Sequence, residues 1–148
     1  MSARPRDATA TAPVSQFNHG IAARFCSLTG PALRACSISR SLTAGEGVDA
    51  AIVLGHDGLL IDSQLGPGLD AEDVAARIPG IIGPADEFGV AIGRGELLTA
   101  VLEHRNGLAI VSVLSPEAIL LVLVTPRANI GQLLYELRRN REHIAALV

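Results

Sequence analysis

Apolar residues gather into short dense runs between Val48 and Val124 and fall at helical spacing on either side. Val48 to Leu54 (VDAAIVL), Leu59 to Leu65 (LLIDSQL) and Leu97 to Glu103 are three such runs. Leu108 to Val124 (LAIVSVLSPEAILLVLV) holds two more, parted by Ser115-Pro116-Glu117. All are rich in Val, Ile and Leu and too short for helices, so each predicts a strand. Asp57-Gly58 and Asn106-Gly107 stand between consecutive runs. Both pairs tolerate positive φ, which predicts tight hairpins. Leu97 to Val124 therefore reads as a three-strand antiparallel meander in the middle of the fold. In the second run Ile61, Ser63 and Leu65 alternate with Asp62 and Gln64, the pattern of an edge strand with one wet face.

The helical signals lie between and around these runs. Asp70 is a good N-cap, Glu72 and Asp73 favour the first turn, and Val74, Ile78, Ile81 and Ile82 form a stripe. Pro79-Gly80 and Gly83-Pro84 interrupt it. A proline inside a helix costs about 3 kcal/mol, so a kinked helix or two short ones are expected from Ala71 to about Ile92. In Ala128 to Val148, Ile130, Leu133, Leu134, Leu137, Ile144 and Leu147 recur at threes and fours. Arg138, Arg139, Arg141 and Glu142 are expected on the opposite face, with Arg138 and Glu142 spaced for an ion pair. Before Val48, Phe17, Ile21 and Phe25 suit a short helix weakened by Gly20. Thr29 and Pro31 open a second that should reach about Leu42. Met1 to Val14 shows no apolar periodicity and is expected to be disordered. The expected order α-β-β-α-β-β-β-α is that of an α+β domain, a five-stranded antiparallel sheet with helices on both faces. Residues 1–15 would be the tail, 16–47 a helical extension with the first helix, and 48–148 the domain proper.

Composition narrows the chemistry. The 148 residues suit one domain, and with 49% hydrophobic but only 3% aromatic residues its core must be aliphatic. No apolar run reaches the roughly 20 residues that span a bilayer, so no membrane insertion is expected. Every basic residue is arginine, which excludes a Walker A phosphate loop and Schiff-base chemistry on lysine. A net charge of −3 gives no general attraction to nucleic acid. Cys26 and Cys36 match neither a zinc ribbon nor a redox C-x-x-C pair. They read as reduced apolar residues, with a disulfide closing a small loop as the alternative. His19, His56, His104 and His143 are scattered without metal-ligand spacing, so neither metal nor cofactor is expected. His56-Asp57 is the one adjacent imidazole–acid pair, and it sits in a predicted turn where solvent competes. No catalytic residue is assigned. The first forty residues are rich in Arg and Ser and nearly acid-free, a composition shared by organelle transit peptides and by flexible bacterial extensions. The all-arginine basic set fits a high-GC bacterial genome, and the reduced cysteines fit the expected cytoplasmic location.

Three strings in order carry a resemblance: VDAAIVLGHDGLLIDSQL (Val48 to Leu65), LDAEDVAARI (Leu69 to Ile78) and RANIGQLLYELRR (Arg127 to Arg139). In these the chain resembles the Roadblock family, which includes dynein light chains and the bacterial gliding-motility regulators of small GTPases. The resemblance covers about Val48 to Val148 and implies the Roadblock, profilin-like fold. It further implies a homodimer in which the third strand pairs with its twin and the second helix packs on its twin. Here those elements are Glu96 to Glu103 and Ala71 to Gly89, which puts Val74, Ile78, Ile81, Leu97, Thr99 and Val101 at the interface. Edge chemistry agrees, because a long aliphatic edge strand left unpaired invites aggregation. The gliding-regulator branch implies a small Ras-like GTPase as partner, its nucleotide cycle modulated by binding alone. Asp73, Arg77, Asp86, Glu87 and Arg94 surround the second helix and are the candidate contacts, with solvated surface charge as the alternative. The competing function is a structural scaffold without effect on nucleotide state. Pro79, Pro84 and the long N-terminus depart from the family pattern.

Overall fold

The computed structural model describes Leu42, residues 47–146 and Val148. The tail and the helices expected before Val48 lie outside the described residues, except Leu42, which is helical and buried. The described elements are β1 (Val48–Leu54), β2 (Leu60–Gln64), α1 (Ala71–Arg77), α2 (Pro79–Ala91), β3 (Thr99–His104), β4 (Gly107–Val113), β5 (Ile119–Val124) and α3 (Ile130–Ala145). The strands form one antiparallel sheet in the order β2-β1-β5-β4-β3. The meander exists, and β5 at its end crosses back to pair β1. That makes β5 the centre and puts β3 at an edge.

The alternation of side chains splits the core into two layers. On one face Ala51, Val53, Ile110, Leu120, Val122 and Val124 pack with Leu137 and Ile144 of α3. On the other, Ile52, Leu54, Val111, Ile119 and Leu121 pack with Ala75, Ile78 and Ile82 of α1 and α2. Helices thus cover both faces. Because β1, β4 and β5 are buried on both sides, their sequences read as nearly unbroken aliphatic runs.

Local chemistry sets the boundaries. Asp70 caps α1, its carboxylate accepting from the N–H groups of Glu72 (2.9 Å) and Asp73 (3.2 Å). The expected proline break resolves into two helices, because Pro79 serves as the first residue of α2 where its missing N–H costs nothing. Pro84 lies within α2, yet the helix continues to Ala91. Asn129 caps α3 by accepting from Gln132 N–H at 3.2 Å. The hairpin glycines act differently from expectation. Among the described residues no non-glycine residue has positive φ, so Asn106 is not left-handed. Gly107 is needed because a Cβ there would lie 2.7 Å from the Val124 carbonyl oxygen. Gly58 does use a left-handed φ of 83°, and Asp57 Oδ1 accepts from Leu59 N–H at 3.0 Å beside it. Ile61, expected to face inward, is exposed, for the β1–β2 register shifts between Val53 and Leu54.

Candidate functional site

The edge strand β3 is the most distinctive surface, and its geometry follows from its pairing. Val113 N–H donates to the Leu98 carbonyl at 3.1 Å, and Thr99 stands opposite Ser112. Antiparallel ladders alternate, so Ala100, Leu102 and His104 direct their amide and carbonyl groups at β4. Those of Thr99, Val101 and Glu103 point outward, and no strand pairs there among the described residues. The side chains of Thr99, Val101 and Glu103 share the α3 face, since their partners Ser112, Ile110 and Leu108 do. Ala100 and Leu102 lie on the α1–α2 face.

Two polar contacts fix the start of this strand. Asp86 of α2 accepts from Leu97 N–H at 2.6 Å. That bond ties Leu97 to α2 just before β3 begins at Thr99. From the other face Arg141 of α3 donates through Nη2 to the Leu98 carbonyl (2.8 Å), Thr99 Oγ1 (2.9 Å) and Ser112 Oγ (3.4 Å). Its Nε is buried and has no hydrogen-bond partner. Burial, and then the charge of nearby Arg138, pull the Arg141 pKa below its ordinary value. Ser112 is itself the buried polar side chain of the described core, at 1% exposure. Arg94, Glu96, Arg138 and Arg141 line a hollow of about 440 Å³ against Leu97, Leu98 and Thr99. A second cleft of about 580 Å³, between Pro79 and Ile82 on one side and Ser115 and Pro116 on the other, meets it at Leu97 and Leu98. His56 Nε2 lies 3.1 Å from the Ser115 carbonyl oxygen and bridges the two turns at that end.

The residues singled out from sequence separate into groups. Thr99 and Val101 lie along the open edge on the α3 face, with Val101 at 43% exposure, whereas Leu97 precedes the strand and packs on the α1–α2 face. Ile78 is buried against its own sheet, and Val74 and Ile81 are half-buried beside it. Asp73 and Arg77 pair with each other (Nη2 to Oδ1 3.0 Å), and the hydrogen bond to Asp73 raises the Arg77 pKa. Both are well exposed, so the pair adds little to stability. Asp86 is engaged with Leu97, whereas Glu87 and Arg94 are exposed. The expected Arg138–Glu142 ion pair is not formed; Asp73–Arg77 is the ion pair among the described residues. Sequence reasoning missed Arg141 and Ser112. Arg141 sits four residues after Leu137 and three before Ile144, both buried, so helical spacing placed it on the inner stripe despite its charge. A lone serine inside the aliphatic β4 was the other signal.

Among the described residues no group of three or more His, Cys, Asp or Glu side chains is placed to hold a metal ion, and no helix is long and apolar enough to cross a membrane. Fold and edge together define an α+β module of the adaptor kind. The pattern of the Roadblock/LC7 domain matches residues 37–124, and the chain belongs to that family. An uncharacterized protein of Methanocaldococcus jannaschii, MJ1340, is 35% identical over 106 residues, covering 72% of this chain and 92% of that protein. MglB of Myxococcus xanthus shares the fold with a TM-score of 0.72 at 15% identity, over 82% of this chain and 95% of its own. A gliding protein, MglB of Thermus thermophilus, does so with a TM-score of 0.70 at 16% identity, over 81% and 93%.

Proposed function

We propose that the chain is a non-catalytic, homodimeric regulator of a small Ras-like GTPase, acting in the cytoplasm by binding. The open β3 edge carries this reading. It offers aligned donors and acceptors from Thr99, Val101 and Glu103. Such an edge is a template for another strand, and a second copy about a two-fold axis satisfies both chains at once. Within that dimer Leu97, Thr99 and Val101 lie at the seam. Val74, Ile78 and Ile81 contribute through the helices they anchor, Ile78 from within its own core. Exposed apolar side chains on and just after α2, Phe88 at 64%, Val90 and Ile92, extend the surface near the seam. The gliding-regulator branch is the part of the family that the sequence resemblance ties to GTPases, and gliding proteins share this fold. Glu87 and Arg94 are the exposed candidates for partner contact, with Asp73 and Arg77 entering as a preformed pair.

The test first asks whether a small GTPase gene lies next to the gene for this chain, and then uses that GTPase. GTP hydrolysis and nucleotide release are followed with and without the protein, alongside complex formation. The regulator reading expects a complex and a change in at least one rate. A complex with both rates unchanged leaves a scaffold, and no complex at all removes the GTPase from the account.

A further inference from the structure

Arg141 is a cation held at the sheet edge without an acid among the described residues. Its Nη2 is shared among a carbonyl and two hydroxyl oxygens, and none of these carries charge. Arg138, one turn earlier, adds a like charge and no ion pair offsets either among the described residues. Glu96 lines the same hollow yet forms no ion pair among the described residues. A partly buried guanidinium in this state is stabilised by a carboxylate brought to it with the right geometry.

The strand edge shows where one comes from. Only Thr99, Val101 and Glu103 face outward, so a two-fold pairing must match odd-numbered positions with odd-numbered positions. Three registers do so while pairing at least two of these outward residues of each strand. Centring on Ala100 sets Glu103 against the partner's Leu97, whose N–H is already committed to Asp86. Centring on Leu102 sets Thr99 against the partner's Arg105, which lies in the β3–β4 turn and outside the strand. Centring on Val101 pairs Val101 with its twin and Thr99 with the partner's Glu103, and every outward amide and carbonyl of the strand finds a match. In such a hydrogen-bonded pair the Cα atoms lie about 5.5 Å apart with side chains on the same face. The partner's Glu103 then stands directly beside Thr99, whose hydroxyl is 2.9 Å from Arg141 Nη2.

We infer that the two β3 strands pair in the register centred on Val101 and that Glu103 of each copy supplies the acid for Arg141 of the other. This rests on the dimer proposed above. The two-fold gives two such sites, one at each end of the seam. Asp86 acts as a stop against the register centred on Ala100, because it already holds the Leu97 N–H that Glu103 would meet across the seam. Arg141 holds Thr99 in place until the carboxylate arrives.

The experiment is sedimentation equilibrium on the full chain at low and high salt. Wild type is compared with Glu103→Gln, Glu103→Arg, Arg141→Glu, the double variant Glu103→Arg/Arg141→Glu and the control Glu96→Gln. Glu103→Gln is expected to weaken the dimer about tenfold or more and to remove most of its salt dependence. Glu103→Arg should weaken it further, and the double variant should recover much of the loss. Glu96→Gln should leave association unchanged. If Glu103→Gln and Glu103→Arg associate like wild type, the register and ion pair are wrong while the dimer stands. Weakening by Glu96→Gln in place of Glu103→Gln overturns the pairing too, because the acid then comes from the same chain. A wild-type monomer at every concentration removes the dimer itself. Should Arg141→Glu fail to fold, the salt response of Glu103→Gln decides alone.

Discussion

Asp86 carries one of the shorter hydrogen bonds in the molecule, a carboxylate accepting from a backbone N–H at 2.6 Å. Sequence offered it as a surface acid for a partner; its place is at the joint between α2 and the edge strand. Replacing it tests that role. Asp86→Ala leaves the half-buried Leu97 amide unsatisfied and is expected to cost about 1–3 kcal/mol, read from the urea midpoint. Asp86→Asn keeps an acceptor oxygen and should lose about half as much or less. Equal stability of the two would show that the acceptor is not what matters. Arg141 gives the complementary lesson. Its charge argued for the outer face of α3, but acceptors on β3 and β4, far away in sequence, make the inner stripe tolerable. No local rule contains that information, because the acceptors exist only after the sheet has formed.

Elements built from short-range chemistry were legible. All five strands could be read from dense Val, Ile and Leu runs, and the bounds of β1 follow its run from Val48 to Leu54. The proline break between α1 and α2 was visible as Pro79-Gly80, since a proline at the first helical position is as natural as one in the interior is costly. What was not legible depended on contacts between elements. β3 starts two residues later than its apolar run, where Leu97 turns to Asp86 and the α1–α2 face, and Ile61 turns outward at a register shift. The hairpin glycines were correctly placed but for a partly wrong reason at Gly107, where close approach of Val124 decides. Gly58 joins both causes: a φ of 83° and a would-be Cβ 3.2 Å from Pro79 Cγ and 3.3 Å from Ala76 Cα. Gly58→Ala is therefore expected to destabilise by more than about 1 kcal/mol in thermal or chemical unfolding, through strain at the turn and against the α1–α2 joint. A neutral result would mean the turn rests less tightly on the helices.

For the whole molecule the two sheet edges are unequal. β2 is short, with a register shift beside it and Asp62 and Gln64 along it, devices that discourage strand addition. β3 is six residues long, follows β4 without a register shift, and is aliphatic through its middle. The fold thus protects one edge and leaves the other open for pairing. Val101→Pro removes an outward donor while leaving the β3–β4 ladder its own bonds. It should yield a folded monomer by circular dichroism and light scattering; a dimer as tight as wild type would speak against edge pairing. The most direct measurement is amide hydrogen exchange along β3 in the wild-type chain at concentrations that favour association. Pairing predicts that Thr99, Val101 and Glu103 exchange as slowly as Ala100 and Leu102. Fast exchange at the three outward amides, with Ala100 and Leu102 still protected, would contradict it.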